Sequence, residues 1–316
     1  MKAMVITGFG DAGVFEQREL PKPEPGIGEL LVKVYAASVN PVDYKIRTNG
    51  SWAVTPPVII GYDASGVVEK CGPGVKDFKP GDEIFYTPII EQGHGTYAEY
   101  AVVHEDIVAL KPKNISFLEA AGLPLAGCTA LDAIVNLARV KPGENVLIHA
   151  GAGGVGSFAL QLAKISGARV ATTCSPKNID LVRSLGADIA IDYRKEDFAK
   201  AFFRETGGEL ADVVFDTVGG DTTARSMEIT KKFGRIVSIV NISGNINAGH
   251  RKNIVLYLLF LERAKHKIEM MRTLVEEGKI RTAVDSVFPL NRVADAHRKI
   301  EQGGVRGKII LQVSGE

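Results

Sequence analysis

The segment Asn145–Gly156, NVLIHAGAGGVG, joins a short apolar run to the pattern Gly-x-Gly-x-x-Gly, and residues 157–166 then read as a helix. In a strand–turn–helix unit the first glycine permits a tight turn. The second lets backbone N–H groups approach a pyrophosphate, and the third lets helix and strand pack closely. A flexible glycine linker is the alternative, which the flanking strand and helix disfavour. We therefore expect a dinucleotide-binding turn made by Gly151, Ala152, Gly153, Gly154, Val155 and Gly156, with the anion at a helix N-terminus.

Around this turn, between residues 122 and 266, apolar strands alternate with amphipathic helices. The strands predicted here are continuous apolar runs at residues 145–149, 169–173, 189–192, 213–216 and 235–240. Continuous rather than alternating hydrophobicity is typical of strands buried on both faces, as in a parallel sheet covered by helices. The pattern predicts a doubly wound Rossmann domain over residues 122–266.

The first third of the chain has a different sequence pattern. Short apolar runs separated by Gly and Pro, such as residues 30–34, 66–70 and 83–86, favour an antiparallel β domain. Near the end of this region, Ser116 and Glu119 have the spacing of a capping box and predict the start of a helix. The C-terminal segment 307–313 reads as one more strand, and we expect it to return to the first domain. The predicted fold class is α/β, with a β-rich domain from residues 1–121 and 267–316 beside the Rossmann domain.

Composition excludes several classes of partner. The chain has 316 residues, of which 45% are hydrophobic, and 38 basic against 37 acidic residues leave a formal charge of +1. No global field would hold nucleic acid or an anionic membrane. The longest late apolar run, residues 254–261, is too short to span a bilayer. Three scattered cysteines and the lack of a signal-like N-terminus make the cytoplasm the expected compartment.

The type of dinucleotide is predicted by the end of the second Rossmann strand. An NAD site needs a carboxylate there for the ribose 2′-hydroxyl, but the chain reads TTCSPKN at residues 172–178. Ser175 has the character of an N-cap before Pro176, which aims free N–H groups and Lys177 at the place of a 2′-phosphate. Tyr193 could add a hydroxyl, or be a half-buried aromatic. The pattern predicts NADPH rather than NADH, although Lys177 could also be an ordinary solvated lysine.

Taken together, six motifs resemble the medium-chain dehydrogenase/reductase superfamily, and most closely its zinc-free quinone oxidoreductase and enone reductase branch. The matching segments are residues 37–47, 61–68, 78–82, the glycine turn, 212–220 and 307–311. The resemblance implies a GroES-like β domain joined to the Rossmann domain. It also implies hydride transfer from NADPH to a small quinone or α,β-unsaturated carbonyl compound.

The resemblance also bears on zinc. Zinc-dependent relatives place a cysteine where Asn40 stands and a His-Glu pair where Tyr62 and Asp63 stand. A carboxamide and a phenol are not usual zinc ligands, since the metal prefers thiolate, imidazole or carboxylate. We expect no metal site. Conjugated acceptors suit a metal-free pocket because the charge that appears on oxygen can be stabilised by hydrogen bonds.

Three residues are the predicted catalytic group. Asn40 could donate an amide N–H to the developing oxyanion, or be an ordinary loop cap before Pro41. Lys45 resembles a pocket lysine of plant-type enone reductases, with a solvated lysine as the alternative. Tyr62 could stack on the substrate or donate a proton, unless solvent delivers it. Asp43 and Asp63 are expected to be structural hydrogen-bond partners, because an anion beside the developing oxyanion would oppose the reaction.

The resemblance adds four cofactor positions to those of the glycine turn. They are Thr129 below the nicotinamide, Val218 and Asn241 after Rossmann strands, and Lys308 near the C-terminus. Plain helix and loop residues are the alternative for the first three.

Two other functions stay open. One is an enoyl-thioester reductase acting on acyl-CoA or acyl-carrier substrates, for which the basic residues between 251 and 267 could bind a phosphate arm. The other is a non-catalytic NADPH-binding sensor or structural protein. Relatives are usually homodimers, and the apolar run 254–261 could lie in such an interface or in the domain core.

Overall fold

The computed structural model describes residues 1–50, 54–89 and 95–315. Two compact units divide these residues. The first comprises residues 1–128 with residues 262–316, and the second comprises residues 129–261.

The first unit begins with a β-rich region. Its elements are β1 Lys2–Ile6, β2 Phe15–Glu19, β3 Glu29–Val39, α1 Pro41–Asn49, β4 Val58–Ile59, β5 Ala64–Cys71, β6 Glu83–Tyr86, β7 Tyr100–His104, β8 Val108–Leu110, α2 Phe117–Ala121 and α3 Pro124–Leu131. Ser116 caps α2 through the predicted capping box, in which its hydroxyl accepts from Glu119 N and the Glu119 carboxylate accepts from Ser116 N. Helix α3 runs across the boundary into the second unit and continues as a π-helical segment, Asp132–Leu137.

The second unit alternates strands and helices. Its elements are β9 Asn145–Ile148, α4 Gly154–Ile165, β10 Arg169–Cys174, α5 Ile179–Ser184, β11 Ile189–Asp192, α6 Phe198–Glu205, β12 Ala211–Asp216, α7 Thr222–Ile229, β13 Thr230–Ser238 and β14 Val255–Leu258. The strands form one sheet of order β11-β10-β9-β12-β13-β14, and every pair in it is parallel. This order and direction confirm the predicted doubly wound sheet, whose carboxyl edge is where ligands bind.

The chain then returns to the first unit. The last elements are α8 Lys265–Glu276, β15 Val284–Pro289, α9 Val293–Gln302 and β16 Lys308–Gln312. Strand β16 pairs antiparallel with β3, with Ile309 opposite Val39, which confirms the predicted return of the C-terminal strand. Around β3 the described strands form a sheet of order β15-β16-β3-β5-β6-β8, with β7 also paired to β3.

Each unit has its own apolar core. In the first unit, one buried cluster brings together the N-terminal strands, α1, α9 and β16, with members that include Ile6, Ile46, Tyr97, Val293 and Leu311. In the second unit, side chains of the sheet pack under α6 and α7. Strands β9 and β12 are almost wholly buried, as their continuous apolar runs predict.

Several local predictions need correction. The change of architecture was expected at residue 122, but α2 packs on β3 and β5 of the first unit, and the second unit starts at residue 129. The helix that begins at the Ser116 capping box therefore belongs to the first unit. The helix expected after the Ser175 N-cap starts as a 3₁₀ turn, Pro176–Asn178, and becomes α-helical only at Ile179. In the described part of the chain, no helix is long and apolar enough to cross a bilayer.

Candidate active site and cofactor-binding edge

The glycine turn lies at the carboxyl end of β9, and the three glycines of its Gly-x-Gly-x-x-Gly pattern have different reasons to lack a side chain. A Cβ on Gly156 would lie 2.4 Å from the Ala150 carbonyl oxygen and 2.8 Å from Gly151 Cα. A Cβ on Gly151 would lie 2.2 Å from Thr172 Oγ1. A Cβ on Gly153 would meet only the Ala150 oxygen, at 3.3 Å. Gly151 and Gly156 are required by the fold, whereas a Cβ on Gly153 would press on one backbone oxygen and meet no other atom within 4 Å.

Two threonines hold the turn in place. Thr172 Oγ1 accepts from Gly151 N at 3.0 Å and donates to the Ile148 carbonyl at 2.6 Å. Thr173 Oγ1 accepts from Ala150 N at 3.0 Å. Ala150 has a positive φ of 53°, which is uncommon for a residue with a side chain and marks a turn held by its surroundings. Neither threonine was predicted to support the turn, because only a carboxylate was expected to be informative at this strand end.

His149, the residue after β9, is buried next to the glycine turn. The Ser226 hydroxyl donates to the Thr222 carbonyl at 2.7 Å, so it accepts from His149 Nε2, which lies 2.9 Å away. This fixes the proton on Nε2. Burial lowers the pKa of His149 to about 4, so the ring is neutral at physiological pH. A neutral ring adds no positive charge under the turn, and its role is structural.

The N-terminus of α4 fits a pyrophosphate. Gly153 is the N-cap and has no side chain to accept from the first-turn N–H groups, and intrahelical bonding begins with Ser157 N to Gly153 O. Gly154, Val155 and Gly156 therefore present backbone donors at the positive end of the helix dipole. Ala152 is buried beside them. The open space at Gly153 and this set of donors are the features that a dinucleotide needs.

The residues predicted for the 2′-phosphate lie at two neighbouring strand ends. Strands β10 and β11 pair with Cys174 opposite Asp192, so Ser175 and Tyr193 follow at adjacent positions. Ser175 is the N-cap of the 3₁₀ turn, as predicted, but its hydroxyl makes no capping hydrogen bond. Lys177 is exposed in that turn, and Tyr193 is 53% exposed. The structure thus brings these three residues to one edge.

The predicted nicotinamide-side residues Val218 and Asn241 also come together. The Asp216 carboxylate accepts from Val218 N at 2.8 Å, which fixes the turn after β12. Gly220 N donates to the Asn241 carbonyl at 3.0 Å, so the loops after β12 and β13 are joined. Both side chains are exposed. Thr129, in contrast, is a buried residue of α3.

In the first unit, Asn40 belongs to a buried polar network around Asp63. Asn40 Nδ2 donates to Asp63 Oδ2 at 2.8 Å, and Lys308 Nζ donates to Asn40 Oδ1 and, at 3.2 Å, to the same Asp63 oxygen. Ser38 Oγ donates to Asp63 Oδ2 at 2.8 Å, and Leu125 N donates to Asp63 Oδ1 at 2.7 Å. Asn40 is 2% and Lys308 3% exposed. Asp63 is therefore structural, as expected, whereas Lys308 is bound within the protein rather than lying open to a ligand.

A second buried group adjoins this network. Asp43 Oδ2 accepts from Asn40 N at 2.8 Å and from the Tyr97 hydroxyl at 2.6 Å. The Tyr97 hydroxyl also lies 3.3 Å from His297 Nε2. Burial raises the pKa of Asp43 to about 7 and lowers that of His297 to about 3. The expectation that Asp43 is a hydrogen-bond partner agrees with this arrangement. Tyr97 and His297 belong to no motif and could not be predicted as members of this group from the sequence.

The other two predicted catalytic residues are placed differently. Tyr62 follows β4, is 2% exposed and packs in the core cluster that contains Tyr97. Lys45 is exposed on α1, whose buried residues are Asp43, Ile46 and Arg47. Tyr62 therefore lies beside the Asn40 network, and Lys45 is on a different face of α1 from the buried residues.

Two family models match the chain. The description "alcohol dehydrogenase GroES-like domain" applies to residues 26–113, and "zinc-binding dehydrogenase" applies to residues 185–311. The matches cover parts of the β-rich unit and of the Rossmann sheet, in agreement with the predicted fold.

Known proteins similar to the chain over nearly its whole length include three oxidoreductases. The NADPH-dependent alkenal/one oxidoreductase of Arabidopsis thaliana chloroplasts is 38% identical over 98% of this chain and 79% of the relative. The quinone oxidoreductase structure from Coxiella burnetii is 37% identical with a TM-score of 0.91, covering 99% of both chains. The Escherichia coli quinone oxidoreductase, solved with NADPH, is 28% identical with a TM-score of 0.91, covering 99% of this chain and 100% of that one. The chain therefore belongs to the medium-chain dehydrogenase/reductase superfamily, in its quinone oxidoreductase branch.

Proposed function

We propose that the protein transfers hydride from NADPH to quinones or α,β-unsaturated carbonyl compounds without zinc. The observation that carries the proposal is the uncapped N-terminus of α4 behind the open Gly153, at the carboxyl edge of the parallel sheet. Ser175, Lys177 and Tyr193 lie at the same edge, and no carboxylate ends β10. The relatives named above, which are described as NADPH-dependent or solved with NADPH, support the same reading.

The remaining cofactor contacts are proposed from the family positions. Gly151 to Gly156 would hold the pyrophosphate, with Val218 and Asn241 beside the nicotinamide half and Thr129 below its ring. Bound NADPH would supply a hydride from the nicotinamide C4. Lys308 was assigned to the cofactor from the same family pattern, but its buried hydrogen bonds to Asn40 and Asp63 favour a role within the polar network of the first unit.

The chemistry of the donors supports zinc independence. Asn40 offers a carboxamide whose oxygen already accepts from the Lys308 ammonium, so a dication at Asn40 would face a positive charge. Tyr62 is a buried phenol. Among the described residues, no group of three or more His, Cys, Asp or Glu side chains could hold a metal. The residues present do not fit the zinc of the family's alcohol dehydrogenases.

In the proposed reaction Asn40 stabilises the developing charge. Its Nδ2 carries two N–H groups, one of which is directed to Asp63, so one remains for the substrate oxygen. Lys308 places a positive charge next to the same amide and offsets the charge of Asp63. Tyr62 or solvent returns the proton, and Lys45 is the third candidate at the substrate side. Holding donor and acceptor in place contributes several kcal/mol of the barrier reduction.

The enoyl-thioester alternative has less support. It needs free positive charges between residues 251 and 267. Lys252 instead donates to the carbonyl groups of Met227, Glu228 and Thr230, and Lys267 donates to the Glu262 carbonyl. Lys265 pairs with Asp77. These contacts engage three of the basic side chains that would bind a phosphate arm, and they favour a small substrate.

We also propose a homodimer that forms along β14. This strand is the last of the six-stranded sheet, and its outer edge has no partner strand among the described residues. Leu258 is 69% and Phe260 72% exposed. An exposed apolar edge strand is a template for pairing with another chain. The cytoplasm is proposed as the compartment because all three cysteines are free thiols.

The experiment is NADPH oxidation at saturating cofactor with a panel of quinones, enones and enoyl thioesters, in buffer with EDTA. Turnover of quinones or enones that resists EDTA is expected. Asn40→Ala and Tyr62→Phe are measured beside the wild type, and wild-type kcat/KM in both would leave proton delivery to solvent. Turnover of thioesters alone, or its loss in EDTA, overturns the proposal. NADPH binding without turnover of any acceptor supports the sensor alternative.

A further inference from the structure

The buried contacts of Lys308 suggest a role that family position alone does not predict. Lys308 begins β16, and its ammonium donates to Asn40 Oδ1 and to Asp63 Oδ2. The lysine side chain is 3% and the Asp63 side chain 0% exposed. Two of the three donors of this ammonium are therefore engaged within the protein.

We propose that Lys308 and Asp63 are positioning residues that fix the orientation of the Asn40 carboxamide. The inference rests on the proposed function, because the amide matters for catalysis only if it meets the substrate oxygen. Lys308 is then not a cofactor ligand, and its charge acts through Asn40.

The oxygen and the nitrogen of the Asn40 carboxamide have different hydrogen-bonding partners. A carboxamide has an acceptor oxygen and a donor nitrogen, and rotation by half a turn exchanges them. A lysine ammonium can only donate, and an ionised carboxylate can only accept. Lys308 at the oxygen and Asp63 at the nitrogen therefore select one orientation, and the flipped amide would meet unfavourable partners at both ends. The direction of the second Nδ2 N–H is fixed as a result.

Asp63 links this amide to four separate elements. Besides Asn40 at the start of α1 and Lys308 on β16, its carboxylate accepts from Ser38 on β3 and from Leu125 N in α3. A buried carboxylate with four donors is rigid, because any displacement leaves a polar group unpaired. The amide is thus held by a frame that spans the chain from residue 38 to residue 308.

The test uses a charge-balanced double variant, Asp63→Asn with Lys308→Met. Lys308→Met alone would leave an uncompensated buried carboxylate and could prevent folding. In the double variant the amide loses the donor at its oxygen, and we expect kcat with a quinone or enone to fall about tenfold or more, as misoriented catalytic groups do. The Kd for NADPH, measured by calorimetry, should stay within about twofold of wild type. The single variant Lys308→Arg keeps a donor at the amide oxygen, so its kcat should lie between those of the double variant and the wild type.

Lys111→Met is the matched control. Lys111 is another buried lysine of the first unit, which donates to the carbonyls of Pro112 and Ile115. This variant should lose stability without the fall in kcat. A tenfold weaker Kd for NADPH in the double variant overturns the inference, as does an unchanged kcat.

A second measurement separates this inference from the proposed function. In protein labelled with ¹⁵N-asparagine, the Asn40 side-chain resonances can be identified by their loss in Asn40→Ser. Slow solvent exchange of these protons is expected in the wild type, and faster exchange with shifted resonances in the double variant. Identical resonances and exchange in the two proteins contradict the inference, even if the wild type turns over no acceptor. Failure of all turnover with the expected resonances contradicts the proposed function alone.

Discussion

At the scale of the residue, Gly153 and Gly156 form a matched pair that separates folding from cofactor binding. A methyl group on Gly156 would overlap the Ala150 carbonyl at 2.4 Å, whereas one on Gly153 meets the same oxygen at 3.3 Å. Gly156→Ala should lower the free energy of unfolding by about 1–3 kcal/mol, as overpacking does. Gly153→Ala should lose less stability than Gly156→Ala but weaken NADPH binding, because the methyl group fills ligand space. Urea unfolding and calorimetry measure the two effects, and equal NADPH affinity of Gly153→Ala and wild type would contradict the placement of the pyrophosphate.

Lys177 tests the choice of cofactor. Its ammonium lies at the strand edge shared with Ser175 and Tyr193, where no carboxylate ends β10. Loss of a charge-assisted hydrogen bond to a 2′-phosphate should weaken NADPH binding in Lys177→Ala by about tenfold to a hundredfold. NADH has no 2′-phosphate, so its Kd should change little. A parallel loss for both cofactors would mean that Lys177 acts on the fold rather than on the phosphate.

Sequence reasoning at this scale succeeded where a local pattern determines the contact. The glycine turn and the Ser116 capping box each depend on residues within a few positions of one another, and both were identified. The Lys308 contacts could not be predicted in this way. They join residues 40, 63 and 308, and nothing in the spacing of the three reveals that β16 brings them together.

At the scale of the element, too, the sequence predicts what a local pattern determines and not what depends on contacts with distant residues. The parallel strands were predictable because burial on both faces leaves continuous apolar runs, as in β9. Strand β2 was missed, since its sequence Phe15–Glu19 is charged and largely exposed and is defined by pairing with β1. Helix α1 was not assigned from hydrophobic periodicity either, because its length is only nine residues and its buried face carries Asp43 and Arg47.

Strand β14 tests the proposed dimer at this scale. Leu258 is 69% exposed on the last strand of the sheet, and a charge there should oppose strand pairing across an interface. We expect Leu258→Lys to be a monomer by light scattering and the wild type a dimer. Phe233→Lys is the control, because Phe233 is 72% exposed but lies on β13, outside the edge strand. A monomeric wild type, or a Leu258→Lys protein that stays dimeric, contradicts the proposal.

At the scale of the whole molecule, buried titratable groups link stability to pH. Burial raises the pKa of Asp43 to about 7 and lowers those of His149 and His297 to about 4 and about 3. The Arg47 guanidinium also disfavours a charged His297. At Asp43, the neighbouring Asp63 raises the pKa and Lys308 lowers it, while burial has the largest effect. The carboxyl group and the two imidazoles therefore depart from their ordinary pKa values in opposite directions.

The sign of each contribution follows from proton uptake. Near pH 5 the unfolded chain carries protons on both imidazoles that the native protein lacks, so each histidine makes stability fall as the pH falls. Asp43 acts the other way, because the native carboxyl group holds a proton there that the unfolded chain has lost. The stabilisation of the native protein by Asp43 is present at low pH and is lost as the pH rises through about 7.

Two variants should therefore change the pH dependence of unfolding in opposite directions. In Asp43→Asn the new amide oxygen can still accept from Tyr97 and from Asn40 N, so the contacts are kept while the titration is removed. The slope of the unfolding free energy against pH near pH 5 should become steeper by about one proton. In His297→Phe, which keeps an aromatic ring against Phe15, the slope should become shallower by about one proton. Urea unfolding at several pH values from about 4.5 to about 6.5 measures both slopes. If Asp43→Asn left the slope unchanged, its carboxyl group would be ionised in the native protein across this range, and the hydrogen bonds from Tyr97 and Asn40 would outweigh its burial.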